Sequence, residues 1–142
     1  MKIFDEFLRT GVVRKKYPDE SRANNLVKES EGRLRNLKRI IEKIGVDEDN
    51  VSDVVESCYD IILSIIRAKM LLRGFSASGK GVHEAEISFL SELDFDEWEV
   101  EFVDKFQYFR NGIIYYGKGK DREYAEKAIE FTYKIVLKLE SL

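Results

Sequence analysis

Apolar residues in this chain recur at spacings of three and four almost throughout, and a single proline, Pro18, interrupts them. That periodicity marks amphipathic helix, because 3.6 residues complete one turn. A many-stranded β fold needs turn residues at short, regular intervals, and nine glycines with one proline are too few for it. The expected fold is therefore all-α: a five- or six-helix, mostly antiparallel bundle. At 142 residues and 44% hydrophobic content, the chain suits one domain over 1–142 with a buried core, not a disordered segment.

A short amphipathic piece is expected over roughly 2–10, with Ile3, Phe4, Phe7 and Leu8, ending at Gly11. Pro18 suits a first helical turn, and Asp19 and Glu20 suit the positive helix end. The next apolar face carries Leu26, Leu34, Leu37, Ile41 and Ile44, with Gly45 as a C-terminal stop. A helix starting near Asp49 or Asn50 carries two stripes: Val51, Val54, Val55, Cys58, Ile61, Ile62, Ile65 and Leu72, then Tyr59, Leu63, Ile66 and Met70. An arc that wide predicts a central helix, or one facing both its own core and a second subunit. GFSASGKG, 74–81, reads as a loop, and VHEAEISFLSEL, 82–93, as a short helix. The segment 95–117 places Trp98, Phe102, Phe106, Phe109, Ile113 and Tyr116 on one helix face. Asp121 is positioned to cap a last helix whose face is Tyr124, Ala128, Phe131, Ile135 and Leu139.

Charge and rare residues exclude several chemistries. Lys plus Arg number 24 against 27 Asp plus Glu, a net charge of −3, which disfavours generic nucleic-acid coating but leaves room for a local basic face. Lys28, Arg35, Arg39 and Lys43 share one such face, either a solvated surface or a phosphate-tracking stripe. One cysteine excludes an internal disulfide, and one histidine excludes a multi-histidine metal site within the chain. No metal and no cofactor are expected. IILSII, 61–66, is too short to span a bilayer, and MKIFDEFLRTG lacks a leader's apolar core. The expectation is a cytoplasmic protein with no membrane partner.

Four segments bear on chemistry. GFSASGKG has most of a P-loop's spacing, but Gly81 stands where the magnesium-binding Ser or Thr belongs. What remains is a phosphate site from Ser78, Lys80 and backbone amides at the start of the following helix. His83 lies at that start, where a helix N-terminus favours neutral imidazole; it is either a base or a loop-tethering side chain. Cys58, on an apolar stripe, reads as a core thiol. In RNGIIYYG, Asn111 and Tyr115 are i,i+4 and share a helix face, whereas Arg110 and Tyr115 stand five apart.

The Arg110–Asn111 pair, in this helical layout with its Gly/Ser loop and HEA helix, resembles the HEPN superfamily of small all-α nucleotide-binding domains. The family signature is an arginine, often a polar residue, then a histidine five to seven positions on. Tyr115 stands here at the histidine's spacing, with Tyr116 next. The resemblance implies an HEPN-like bundle that binds RNA or a nucleotide. In the family's toxin branch it implies a metal-independent endoribonuclease of a toxin–antitoxin pair. It assigns Arg110 to hold phosphate, Asn111 to orient it and Tyr115 to donate a hydrogen bond, with His83 replacing the missing imidazole. It also implies a homodimer with two motifs across one cleft. The alternative is a non-catalytic, substrate-binding or antitoxin-like partner of a separately encoded nucleotidyltransferase.

Overall fold

The computed structural model describes residues 2–110 and 120–142, with Arg110 and Lys120 described by backbone alone. Among these residues six helices and one two-stranded ribbon form: α1 (Phe4–Thr10), β1 (Val13–Lys15), α2 (Glu20–Lys43), α3 (Val51–Leu72), β2 (Phe75–Ala77), α4 (Val82–Ser88), a 3-10 segment (Phe89–Leu93), α5 (Glu97–Arg110) and α6 (Lys120–Glu140). The all-α expectation holds. None of the described helices is long and apolar enough to cross a membrane.

Most boundaries follow local chemistry. Gly11 and Gly45 both take positive φ just beyond α1 and α2, as their stop positions require. The start of α2 differs from expectation. Asp19, not Pro18, makes the entry: its carboxylate accepts the Arg22 N–H at 3.0 Å, and the helix begins at Glu20. Before α3, the Asp47 carboxylate accepts the Asn50 N–H at 2.8 Å and the Asn50 side chain accepts the Asp47 N–H at 2.9 Å, a closed turn that aims the chain into the helix.

The segment 74–81 is only partly a loop. Phe75–Ala77 forms β2, antiparallel to β1, with Val13 opposite Ala77 and Lys15 opposite Phe75. Three residues on each side carry too little alternation to be seen locally; the pairing exists because α1 and α3 bring the two segments together. The ribbon is extended by the Lys16 N–H donating to the Gly74 carbonyl at 2.7 Å. Gly74 has φ +81°, and a Cβ there would stand 2.7 Å from the Lys16 carbonyl oxygen, so only glycine fits.

The central position of α3 is as expected, but its surroundings are not. Both stripes are buried except at Leu72, the last residue of the helix, which is exposed: Cys58, Tyr59, Ile61, Ile62 and Ile66 are fully covered. The cover comes from α2, α4, α5 and α6 of the same chain. The second stripe therefore supplies no argument for a homodimer. Contacts also fix the helix directions. Arg33 on α2 meets Asp60 and the Asp19 N–H meets the Leu71 carbonyl, so α2 and α3 are antiparallel. Thr132 on α6 hydrogen-bonds Cys58, and Leu142 beyond it meets Lys69, so α6 runs parallel to α3. Phe109 stacks on Tyr124 at 4.9 Å while Glu99 meets Lys138, so α5 and α6 are antiparallel. It follows that α3 and α5 are antiparallel, and their C-terminal ends lie at opposite ends of the bundle.

Phe102, Phe106 and Phe131 form the aromatic core between α5 and α6, with Phe102 and Phe131 centroids 4.5 Å apart. Trp98 departs from the expected face: it is 60% exposed and touches Phe131 only edge-on.

Candidate functional site

The polar site of the described residues lies where α2, α3 and α4 meet. Arg67 sits on α3 in an otherwise apolar stretch, and Glu86 sits on α4 between buried Ala85 and Ile87. Glu86 is 1% exposed and takes Arg67 in a fork, with Nε at 2.5 Å and Nη2 at 3.0 Å. This is the strong geometry for an arginine–carboxylate pair. The hydrogen bond from Glu86 leads the causes that raise the Arg67 pKa above its already high value, so the guanidinium stays charged.

Arg67 forms a wall between two pockets. One, about 270 Å³, is bordered by Glu29, Arg33, Asp60, Ser64, Arg67 and His83. The other, about 200 Å³, is bordered by Arg22, Ser76, Glu86 and Val82 on the side of the ribbon. Across the first, Arg33 reaches Asp60 at 3.2 Å and Glu29 at 3.3 Å. Those contacts are solvent-exposed and weak, so a ligand can replace them. The His83 ring stands edge-on to Tyr59, centroids 6.1 Å apart. A packed ring at the cleft wall is thus both held and partly open to solvent.

The expected site residues divide. His83 joins the cleft. Ser78 and Lys80 do not: both are exposed beyond β2, and the Ser78 N–H is spent on the Val12 carbonyl at 3.0 Å. The helix start beside them offers little to a phosphate, because α4 has only seven residues and the Val82 N–H donates to the Gly79 carbonyl. The Arg110 side chain, Asn111 and Tyr115 lie outside the described residues. Their approach can be followed as far as Asp104 on α5. Its carboxyl is raised above the ordinary range first by burial and then by the charge of Glu84, the residue after His83. The start of α4 therefore neighbours α5 six residues before Arg110, about 9 Å of helix at 1.5 Å per residue. The stripe Lys28, Arg35, Arg39 and Lys43 is exposed along α2, away from the cleft.

Sequence reasoning missed Arg33, Asp60, Arg67 and Glu86. One of them carried a signal: Arg67 is a charge inside the mostly apolar run 61–72, and a charge in a buried run needs a partner. The partner's identity came only from packing.

Cys58 is the core thiol its stripe suggested. Burial pushes it up from 9.0 to about 11, and Thr132 hydrogen-bonds it. Between those values the unfolded thiol releases its proton while the native one keeps it, so stability falls as pH rises from 9 to about 11. The expected loss reaches about 2–3 kcal/mol at the upper end. Urea unfolding of wild type and Cys58→Ala across that range should show the slope in the wild type and its absence in the variant.

Among the described residues, no three His, Cys, Asp or Glu side chains cluster as a metal-binding group. Comparison of the chain with family models, curated proteins and solved structures finds no match.

Proposed function

We propose that the protein binds a nucleotide or an RNA strand in the cleft between α2, α3 and α4, as an HEPN-like protein. The observation that carries this reading is that its one imidazole, His83, and the guanidiniums of Arg33 and Arg67 border a single pocket. Arginine has five N–H donors. Glu86 engages Nε and Nη2 of Arg67 from the buried side, which leaves the outer edge for a phosphate.

The charge balance sharpens the ligand class. Arg22, Arg33 and Arg67 face Glu29, Asp60 and Glu86 around the two pockets. Such a balanced cleft does not gather anions by long-range attraction. It selects a ligand that brings acceptors for the guanidiniums and donors for the carboxylates. A nucleotide brings both, in its phosphate and its base amino group.

With RNA in the cleft, His83 takes the 2′-hydroxyl proton, the 2′-oxygen attacks the adjacent phosphorus, the bond from phosphorus to the 5′-oxygen breaks, and that oxygen takes a proton from water. The products are a 2′,3′-cyclic phosphate and a 5′-hydroxyl, and no metal takes part. Arg110, Asn111 and Tyr115 keep the parts the family resemblance assigns: phosphate holding, orientation and hydrogen-bond donation. The closeness of Glu84 to Asp104, which sets the start of α4 against the helix that ends at Arg110, supports a role for His83 beside that helix.

Calorimetric titration with the four 5′-mononucleotides in EDTA is the test. At least one should bind, and Arg33→Ala should weaken it roughly tenfold, the loss of one charged hydrogen bond. RNA incubated with the wild type should gain 2′,3′-cyclic ends, and His83→Ala should not produce them. No binding at about 1 mM nucleotide overturns the reading. RNA bound but left intact moves the protein to the non-catalytic role beside a nucleotidyltransferase.

A further inference from the structure

Tyr17 is 96% exposed, the highest exposure among the large apolar side chains of the described residues. Nothing in folding places a full aromatic ring in water. Its backbone, by contrast, is held on both sides. The Lys16 N–H donates to the Gly74 carbonyl at 2.7 Å, the Asp19 N–H donates to the Leu71 carbonyl at 3.2 Å, and Pro18 fixes the φ between them. The close approach of Gly74 to Lys16 clamps the segment further. A ring presented from a rigid backbone and left unpacked is a platform.

The neighbours of that ring are cations. Arg14, Lys15 and Lys16 precede it directly and are exposed; Arg73 is exposed beside Gly74, the partner of Lys16. Lys15, Lys16, Tyr17 and Pro18 border a shallow hollow of about 690 Å³. The nearest carboxylate in sequence, Asp19, is turned to the Arg22 N–H as the cap of α2. In a chain of net charge −3, this is a local positive field around a π-face.

We infer that Tyr17 and the cations Arg14, Lys15 and Lys16 form a docking surface for single-stranded nucleic acid, with a base stacked on the tyrosine and flanking phosphates on the side chains of the arginine and lysines. Unpaired bases expose the faces that stacking needs, whereas a duplex hides them. The surface is separate from the cleft of His83, and the inference stands without the reading given for that cleft. What it adjoins is the second pocket, across Arg67 from His83: Arg22 and Phe75 border that pocket, and Phe75 pairs with Lys15 across the ribbon.

The test is fluorescence anisotropy with labelled oligouridylate, oligothymidylate and a mixed-sequence duplex, each about 12 units long, within the usual site size for single strands. Both single strands should bind more tightly than the duplex. Tyr17→Ala should weaken single-strand binding roughly tenfold and Tyr17→Phe should keep it, since stacking needs the ring and not the hydroxyl. Lys15→Gln with Lys16→Gln should reduce the salt dependence by about two phosphate contacts. Unchanged melting temperature confirms that the variants are folded, as exposure of the ring predicts. Mononucleotide binding should be unchanged in Tyr17→Ala and weakened in Arg33→Ala, which separates the platform from the cleft. Equal binding of duplex and single strand, no effect of Tyr17→Ala, or tighter capture by phosphatidylserine vesicles than by either oligonucleotide would overturn the inference.

Discussion

Arg67→Ala should cost the fold about 3 kcal/mol, the lower part of the range for breaking a buried ion pair. The lower part applies because the Arg67 side chain is itself 34% exposed, while that of Glu86 is at 1%. Removing the guanidinium leaves a carboxylate between α3 and α4 without its fork of donors, so the penalty is mainly the stranded charge. The double variant Arg67→Met with Glu86→Leu removes that charge and should recover most of the loss, because apolar residues of similar volume replace such pairs at little cost. Urea unfolding of wild type, single and double variants measures this. A single-variant loss below about 1 kcal/mol would mean the pair behaves as a surface contact. The result also bears on the cleft, since Glu86 holds the Arg67 side chain at its wall.

Phe106→Ala should cost about 4 kcal/mol, within the range for emptying an aromatic site in a packed core. The ring is fully buried and meets Phe102 at 5.2 Å, Tyr124 at 6.2 Å and Phe131 at 6.3 Å. Its loss opens a cavity between α5 and α6 that the surrounding rings cannot close without leaving their contacts. In a melt this should read as a drop on the order of 10 °C. Trp98→Ala is the control: the larger side chain lies on the same helix but is 60% exposed, and its removal should cost about 1 kcal/mol or less. Equal losses at the two positions would show that the α5–α6 seam is packed differently from this description.

Periodicity determined what depends on near neighbours. The helices around Leu37, Ile61, Phe106 and Ile135, the stops at Gly11 and Gly45, and the inert character of Cys58 all follow from residues within a turn or two, because helix hydrogen bonds and side-chain stripes are local. Tertiary structure alone decided what depends on distant partners. The ribbon of Val13–Lys15 with Phe75–Ala77 joins segments that carry no strand pattern of their own. The second stripe of α3 could have met another subunit; it is buried because α2, α4, α5 and α6 of the same chain surround the helix. The antiparallel sense of α3 and α5 likewise follows from how α6 packs, not from loop composition. The cleft belongs to this second class. Asp60 and Arg67 share a face of α3 at i,i+7 and His83 and Glu86 a face of α4 at i,i+3, but no sequence spacing relates those pairs to each other or to Arg33 on α2. Arg67 was visible as a charge in a mostly apolar run, so its need for a partner was legible in the sequence. Which charge would answer which was not, because that is set by the crossing of α3 and α4, a property of the packed core rather than of either helix.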